Sequence, residues 1–220
     1  MQWKNLLFLH WEVEPAQLQR FIPPGVQLDT FHDQAYLGLI VLRMHNLRPR
    51  FAPSLPWIGS FHQVNLRTYV RDEQGNRAVS FLRLETDQPL AAWFARHRFG
   101  LPYHRSSLGQ SQVSSEPTGF ATPPPAIRVG RFAWQPQGPE FGAASGSLEE
   151  FLTERYRLVV FRGRLRTVEI RHPPFALRHA EVYEWDSGPL LRAGLPSPVE
   201  PPASALTAAE LQVGIFGLSG

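Results

Sequence analysis

The chain has 220 residues, of which 43% are hydrophobic, 12% aromatic and 19% charged, too much apolar matter for a disordered polymer. No stretch reaches the roughly 18 to 20 uninterrupted apolar residues of a membrane helix, and Met1-Gln2-Trp3-Lys4-Asn5 lacks the basic and apolar regions of a secretory signal. The absence of cysteine excludes disulfides, thiolate metal sites, iron–sulfur clusters and cysteine nucleophiles, and a cytoplasmic setting without membrane association is the expectation.

Seventeen Gly and 21 Pro punctuate short alternating apolar runs, which predicts β structure. A first strand is expected over residues 5–13, followed by a short helix opened by Pro15, as a proline at the first helical position allows, and stopped by Pro23-Pro24-Gly25. Residues 26–31 and 35–47 flank His32-Asp33-Gln34 as a hairpin, before a Pro-rich loop from Arg48 to Gly59. Residues 61–71 and 77–86 flank Asp72-Glu73-Gln74-Gly75-Asn76 as the clearest hairpin. Leu90, Trp93, Phe94 and His97 then mark the apolar stripe of a helix over 89–99, ended by Gly100 and Pro102.

Residues 122–126 read as a linker and 135–146 as turn-rich, yet neither isolates a half with its own core. Ser147 and Glu150 form a capping-box pattern for a helix to about Tyr156, and strands follow at 158–161, 165–171 and 176–185. Residues 189–203 are Pro-rich, and a last strand is expected at 211–218. The reading is one mainly β domain over residues 1–220 with two or three short helices, its residues 187–220 forming a Pro-rich extension packed on the rest.

Pairing Arg71 with Arg77 places Val64, Leu66, Val70, Ala78, Leu82 and Leu84 on one apolar face of the hairpin. The opposite face then carries Gln63, Asn65, Arg67 and Tyr69 beside Glu85, Arg83, Phe81 and Val79, a polar row that either meets water or lines a pocket. A second polar cluster, Arg96, His97, Arg98, Tyr103 and His104, holds groups suited to proton transfer. No histidine spacing suits a metal site, and no nucleophile elbow, phosphate loop or dinucleotide fingerprint is present, so neither metal nor cofactor is expected. Arg162, Arg164 and Arg166 alternate along one strand, as in a charged edge that resists strand pairing.

Five motifs in order carry a resemblance: Leu9-His10-Trp11 with Val13; Pro23-Pro24-Gly25 with Leu28-Asp29-Thr30; Asn65 to Val70; Ala95-Arg96 with Phe99 to Tyr103; and Ser147-Leu148 with Phe151 to Tyr156. Together they resemble the YqjF-like family of the acetoacetate decarboxylase-like superfamily, over about residues 3–186. The resemblance implies a mainly β, antiparallel cone- or barrel-like sheet around an internal pocket with short helices outside. It also implies that Asn65, Arg67, Arg83 and Glu85 line that pocket. The superfamily's decarboxylases form a Schiff base through lysine in a Gly-x-Pro-Lys-Lys-like turn, whereas this chain reads Gly100-Leu101-Pro102-Tyr103-His104. A phenol or imidazole forms no stable iminium, so the decarboxylase step has no electron sink here. Gln63 also stands where the family pattern has Glu.

The leading expectation is therefore a pocket that binds a small organic acid or carbonyl compound without covalent catalysis. Arg67, Arg83, Asn65 and Gln63 would hold the polar end, and Tyr69, Phe81 and Tyr103 would form the walls. A rival gives the pocket a lyase- or isomerase-type reaction with Tyr103 or His104 as proton donor and Glu85 as base. A third is an interaction protein using residues 189–203, and self-association stays open.

Nucleic acid is not an expected partner. Of the 22 basic residues 21 are Arg, but 19 interspersed carboxylates leave a formal charge of only +3, short of a contiguous stripe. Fluorescence anisotropy with mixed oligonucleotides at about 150 mM salt is expected to give dissociation constants no tighter than the non-specific range of roughly 1 to 100 μM.

Overall fold

The computed structural model describes residues 1–47, 59–106, 108 and 126–219. Among these the chain runs β1 (Gln2–Val13), α1 (Pro15–Gln19), β2 (Val26–Leu28), β3 (Ala35–His45), β4 (Phe61–Asp72), β5 (Arg77–Thr86), α2 (Pro89–Phe99), β6 (Tyr103–Arg105) and β7 (Ile127–Val129). It continues through β8 (Phe132–Phe141), α3 (Leu148–Thr153), β9 (Arg157–Phe161), β10 (Leu165–Arg171), β11 (Leu177–Glu184), α4 (Gly188–Arg192), β12 (Ser204–Gln212) and β13 (Gly214–Ser219). The Pro-rich stretch at 48–58 and the linker at 122–125 lie outside the described residues.

All 13 strands join one sheet, ordered β13-β10-β9-β5-β4-β3-β1-β12-β11-β8-β7, with β2 beside β4 and β6 beside β5. The mainly β architecture with short helices is the expected one. Two features differ from the sequence reading: the sheet is mixed, because β5 runs parallel to β6 and to β9, and no pairing of its end strands closes it into a barrel among the described residues. Instead the two ends curl over opposite faces. Phe132 and Trp134 of β8 pack with Leu7, Leu9, Leu39, Val64 and Leu66 on one face, while Leu158, Val160, Val168 and Ile170 of β9 and β10 pack with Tyr36, Tyr69 and Val79 on the other.

Burial on both faces explains β4, whose first ten residues are all buried. Its Val64 and Leu66 enter the first core, and Gln63, Asn65, Arg67 and Tyr69 face the second layer rather than water. The C-terminal stretch contributes more than one strand: β12 lies between β1 and β11, in register with β1 from Gln2↔Gln212 to His10↔Ser204. Its sequence Ser-Ala-Leu-Thr-Ala-Ala-Glu-Leu-Gln has weak strand propensity, so position in the sheet decides its conformation.

Other local readings change for identifiable reasons. His32 and Asp33 form the expected turn, both with positive φ, but only Phe31 and Gln34 bridge across it, because β2 pairs with β4 instead of β3. The turn-rich expectation for 135–146 gives way to β8, which continues to Phe141 through Pro136 and Pro139. Helix α2 spans the expected residues and is capped by Gly100 at φ 72. Its apolar stripe, however, points outward: Leu90, Trp93 and Phe94 are exposed, and the helix packs inward through Ala91 and Ala92.

The hairpin register has the largest consequence. Arg71↔Arg77 through Arg67↔Phe81 pair as expected, then a bulge between Leu66 and Arg67 shifts the partners to Leu66↔Arg83, Asn65↔Leu84, Val64↔Glu85 and Gln63↔Thr86. One extra residue in one strand moves every later side chain to the opposite face. Arg83 and Glu85 are thereby separated from Asn65 and Arg67.

Glu85, 0% exposed, accepts from Arg83 Nε at 2.6 Å and from Arg192 Nε and Nη2 at 2.8 and 2.7 Å. The clamp ties α4 to β5. Burial alone would raise the Glu85 pKa, but the bonds from Arg192 and Arg83 outweigh it and hold the carboxyl below its ordinary 4.5. A depressed folded-state pKa stabilises the fold above the unfolded value, and that contribution is lost as pH falls through the folded value. Melting temperatures between pH 5 and 3 should therefore fall more steeply for the wild type than for Glu85→Gln.

Candidate functional site

A narrow cavity of ≈ 60 Å³ opens on the β4 face that carries the polar row. Asn65 and Arg67 of β4, Phe81 of β5, Tyr103 of β6 and Arg155, just beyond α3, line it with Gln63 and Thr153. The rest of the wall is mostly apolar and includes Leu6, Phe8, Ile40, Leu42 and Met44, with Trp3 and His172 beside them.

Its charged side is built from the C-terminal end of α3. The last carbonyls of a helix have no intrahelical partner, and here side chains satisfy them. Leu152 O accepts from Arg67 Nη2 at 2.9 Å and from the Tyr69 hydroxyl at 2.8 Å, and Phe151 O accepts from Arg155 Nε at 2.8 Å. Arg155 Nη1 also donates to Asp29 Oδ2 at 2.8 Å, with both side chains almost wholly buried. Asp29 Oδ1 accepts from Arg71 Nε at 2.6 Å. The Arg155 guanidinium lies 4.4 Å from the Phe151 ring centroid and 4.9 Å from that of Tyr69, in the range of a cation–π contact.

After these bonds four buried polar atoms on cavity-lining side chains have no partner among the described residues: Arg67 Nε, Arg155 Nη2, Asn65 Oδ1 and Trp3 Nε1. Native proteins rarely leave such groups unpaired, since each costs about 1–3 kcal/mol. Two of these donors belong to guanidinium groups and the one acceptor to an amide, all on side chains that line the same cavity.

Behind this wall, His10 Nε2 lies 2.7 Å from the Tyr69 hydroxyl. Because that hydroxyl donates to Leu152 O, the imidazole donates through Nε2 and presents an unprotonated Nδ1, which is buried without a partner. Burial, and then the Arg67 charge, push the His10 pKa well below 6.5. Burial likewise raises the Tyr69 phenol. A Cβ at residue 38 would stand 3.1 Å from His10 Cδ2, so Gly38 on β3 gives the ring its room.

Of the sequence candidates, Gln63, Asn65, Arg67, Phe81 and Tyr103 meet at the cavity. Tyr69 braces its wall from the adjoining core, bonded to the same Leu152 carbonyl as Arg67. The Tyr103 hydroxyl donates to Gln63 Oε1 at 2.6 Å, and burial raises its pKa. Arg83, Glu85 and His104 are not among the lining residues. Alternation along β6, which pairs Leu84↔Tyr103 and Glu85↔His104, carries His104 to the Glu85 side, where it is exposed. Its pKa is lowered by partial burial and then by Arg83 and Arg96, against a smaller opposing effect of Glu85. Lys4, the chain's single lysine, pairs with Glu210 at 2.8 Å and does not line the cavity.

Arg155, Thr153, Trp3 and His172 also line the cavity without having been singled out from sequence. Arg155 falls within the Phe151–Tyr156 motif, but no spacing rule links it to β4.

Comparison with solved structures defines the class of fold. The chain aligns over 99% of its length with the enduracididine biosynthesis enzyme MppR (TM-score 0.64, 15% identity, 85% of that chain). It aligns over the same share with an acetoacetate decarboxylase-like enzyme from Sphingomonas wittichii RW1 (TM-score 0.61, 12% identity, 90% of that chain). Acetoacetate decarboxylase from Legionella pneumophila gives a TM-score of 0.58 at 10% identity, again over 99% of this chain and 88% of the other. The fold is acetoacetate decarboxylase-like. Residues 1–212 match the family DUF2071, described as an uncharacterized conserved protein, and the chain belongs to that family. It is 34% identical over 183 residues to the uncharacterized protein YqjF of Bacillus subtilis, covering 82% of this chain and 75% of that protein.

Removing one partner of a buried ion pair typically costs about 3–5 kcal/mol. Asp29→Asn should therefore lower the unfolding free energy by about that amount, measured by urea denaturation at pH 7, because it leaves Arg155 buried beside an uncharged amide.

Proposed function

We propose that this protein binds a small organic acid in the β4-face cavity and does so without a Schiff base. The observation that carries the reading is that three side chains lining one cavity, Arg67, Arg155 and Asn65, each keep a buried polar atom without a partner. A carboxylate satisfies two guanidinium donors by charge-assisted bonds, and a donor group on the same molecule satisfies Asn65. Phe81, Leu101 and Tyr103 supply apolar walls.

The size agrees with a short acid. At roughly 10–15 Å³ for each water-sized occupant, ≈ 60 Å³ holds a molecule of only several heavy atoms. The same fold in MppR has been solved complexed with pyruvate, an acid of that size. Covalent capture is disfavoured because the single lysine is engaged with Glu210 away from the cavity.

The acid–base alternative loses its paired groups: Tyr103 lines the cavity, while Glu85 is clamped by two arginines on the opposite face. Among the described residues no carboxylate lines the cavity, and its one titratable base is the His172 imidazole, which no sequence motif paired with Tyr103.

Isothermal titration calorimetry with pyruvate tests the reading. Arg67→Met should weaken binding by about ten- to a hundredfold, the loss of one charge-assisted bond, whereas His104→Ala should bind as the wild type does. Unchanged affinity in Arg67→Met would move the site elsewhere.

A further inference from the structure

Helix α2 is amphipathic in the reverse sense. Leu90, Trp93, Phe94 and His97 fall on one stripe about 100° wide, and Ala91, Ala92 and Ala95 fall on the opposite face. A surface helix ordinarily turns its bulky apolar stripe to the core. Here the alanines face inward, Ala91 and Ala92 buried and Ala95 packed against Leu84 and Tyr103. Leu90, Trp93 and Phe94 are instead 57%, 59% and 52% exposed. Large apolar side chains held together in water mark a binding surface, whereas scattered ones need no explanation.

Cations border the stripe. Arg96 is exposed beside it, and the turn between β9 and β10 carries two more exposed arginines, Arg162 and Arg164. That turn lies against the C-terminal end of the helix: Arg162 Nη1 donates to His97 O at 2.9 Å, and a Cβ at residue 100 would stand 3.3 Å from Arg162 Cδ. Arg164 closes the same turn, its carbonyl accepting from the Arg162 N–H at 3.1 Å. Neither the helix nor the turn contains Asp or Glu. The carboxylates that precede the helix, Glu85 and Asp87, are already paired, Glu85 with Arg83 and Arg192 and Asp87 with His62.

We infer that α2 and the β9–β10 turn dock this protein on the surface of an anionic bilayer. Leu90, Trp93 and Phe94 enter the boundary between head groups and acyl chains, and the three arginines meet the lipid phosphates and carboxylates. A helix seated on alanines presents a ridge, which inserts into a deformable surface without needing a matching groove. The eleven-residue helix lies in the interface plane, and no helix among the described residues is long and apolar enough to cross a membrane. The expectation of no membrane association drew on the lack of a spanning segment, which surface docking does not require.

Co-sedimentation of the whole chain with phosphatidylcholine vesicles, with and without about one-third phosphatidylserine, tests this. The wild type should bind the phosphatidylserine vesicles about ten- to a hundredfold more tightly than the neutral ones, and raising salt from about 0.1 to 0.5 M should shrink that difference. Trp93→Ala with Phe94→Ala should weaken binding about tenfold or more, since two aromatic side chains lose their apolar seat. Arg96→Gln with Arg164→Gln, at two exposed positions, should reduce the preference for phosphatidylserine even if the aromatic variant fails to fold. Wild-type protein that stays in the supernatant with both kinds of vesicle overturns the inference. So does binding that a folded aromatic variant retains in full. A wild-type dimer in sedimentation velocity that the aromatic variant dissolves assigns the stripe to a second copy of the chain and overturns the bilayer assignment.

Discussion

The buried ion pair between Asp29 and Arg155 is the constraint on which the candidate site rests. Asp29 follows β2, and its backbone N–H donates to Tyr69 O on β4, so the carboxylate is fixed to the sheet. Arg155 follows α3, 126 residues later in the chain. Bringing two ions out of water is expensive unless geometry and further bonds compensate. Here Arg71 completes Asp29, while Phe151 O and two aromatic rings complete Arg155. The pair docks α3 onto the sheet, and docking brings the Leu152 carbonyl to Arg67 and Tyr69.

A second constraint acts by subtraction. The bulge in the β4–β5 hairpin removes Arg83 and Glu85 from the cavity face and gives them to a clamp on α4. Without it, Glu85 would stand beside Gln63 and Arg83 beside Asn65, and the carboxylate would compete for the guanidinium groups. With it, the cavity keeps Arg67 and Arg155, and the carboxylate paired with Arg155, Asp29, is shared with Arg71. On the acid-binding reading proposed above, that positive charge on largely buried side chains suits an anionic ligand, since a low local dielectric strengthens each remaining interaction.

No lysine lines the cavity, because the chain's single lysine, Lys4, pairs with Glu210. On the cavity wall Tyr103 is held by Gln63, both neutral, with the phenol proton retained well above neutral pH. Such a pair shapes a wall and offers no nucleophile. Likeness at 10–15% identity shows the fold alone, and the side chains placed on it decide the chemistry.

Sequence alone determined a good deal here. Alternation and turn residues located β4, β5 and the turn between them, and Ser147 and Gly100 marked helix ends where the structure has them. The candidates on β4 were legible because strand alternation is a local property with a period of two. Tertiary structure alone decided the rest. Which face of β5 carries Glu85 depends on a single-residue bulge that leaves no signature in Ser80-Phe81-Leu82-Arg83. That β12 occupies the middle of the sheet, and that Arg155 and Trp3 reach the same cavity as Asn65, depend on pairings between segments dozens to hundreds of residues apart. Pattern within a segment reports its own conformation, whereas the partner it finds is set by which arrangement buries both faces of the sheet and satisfies the charges enclosed with them.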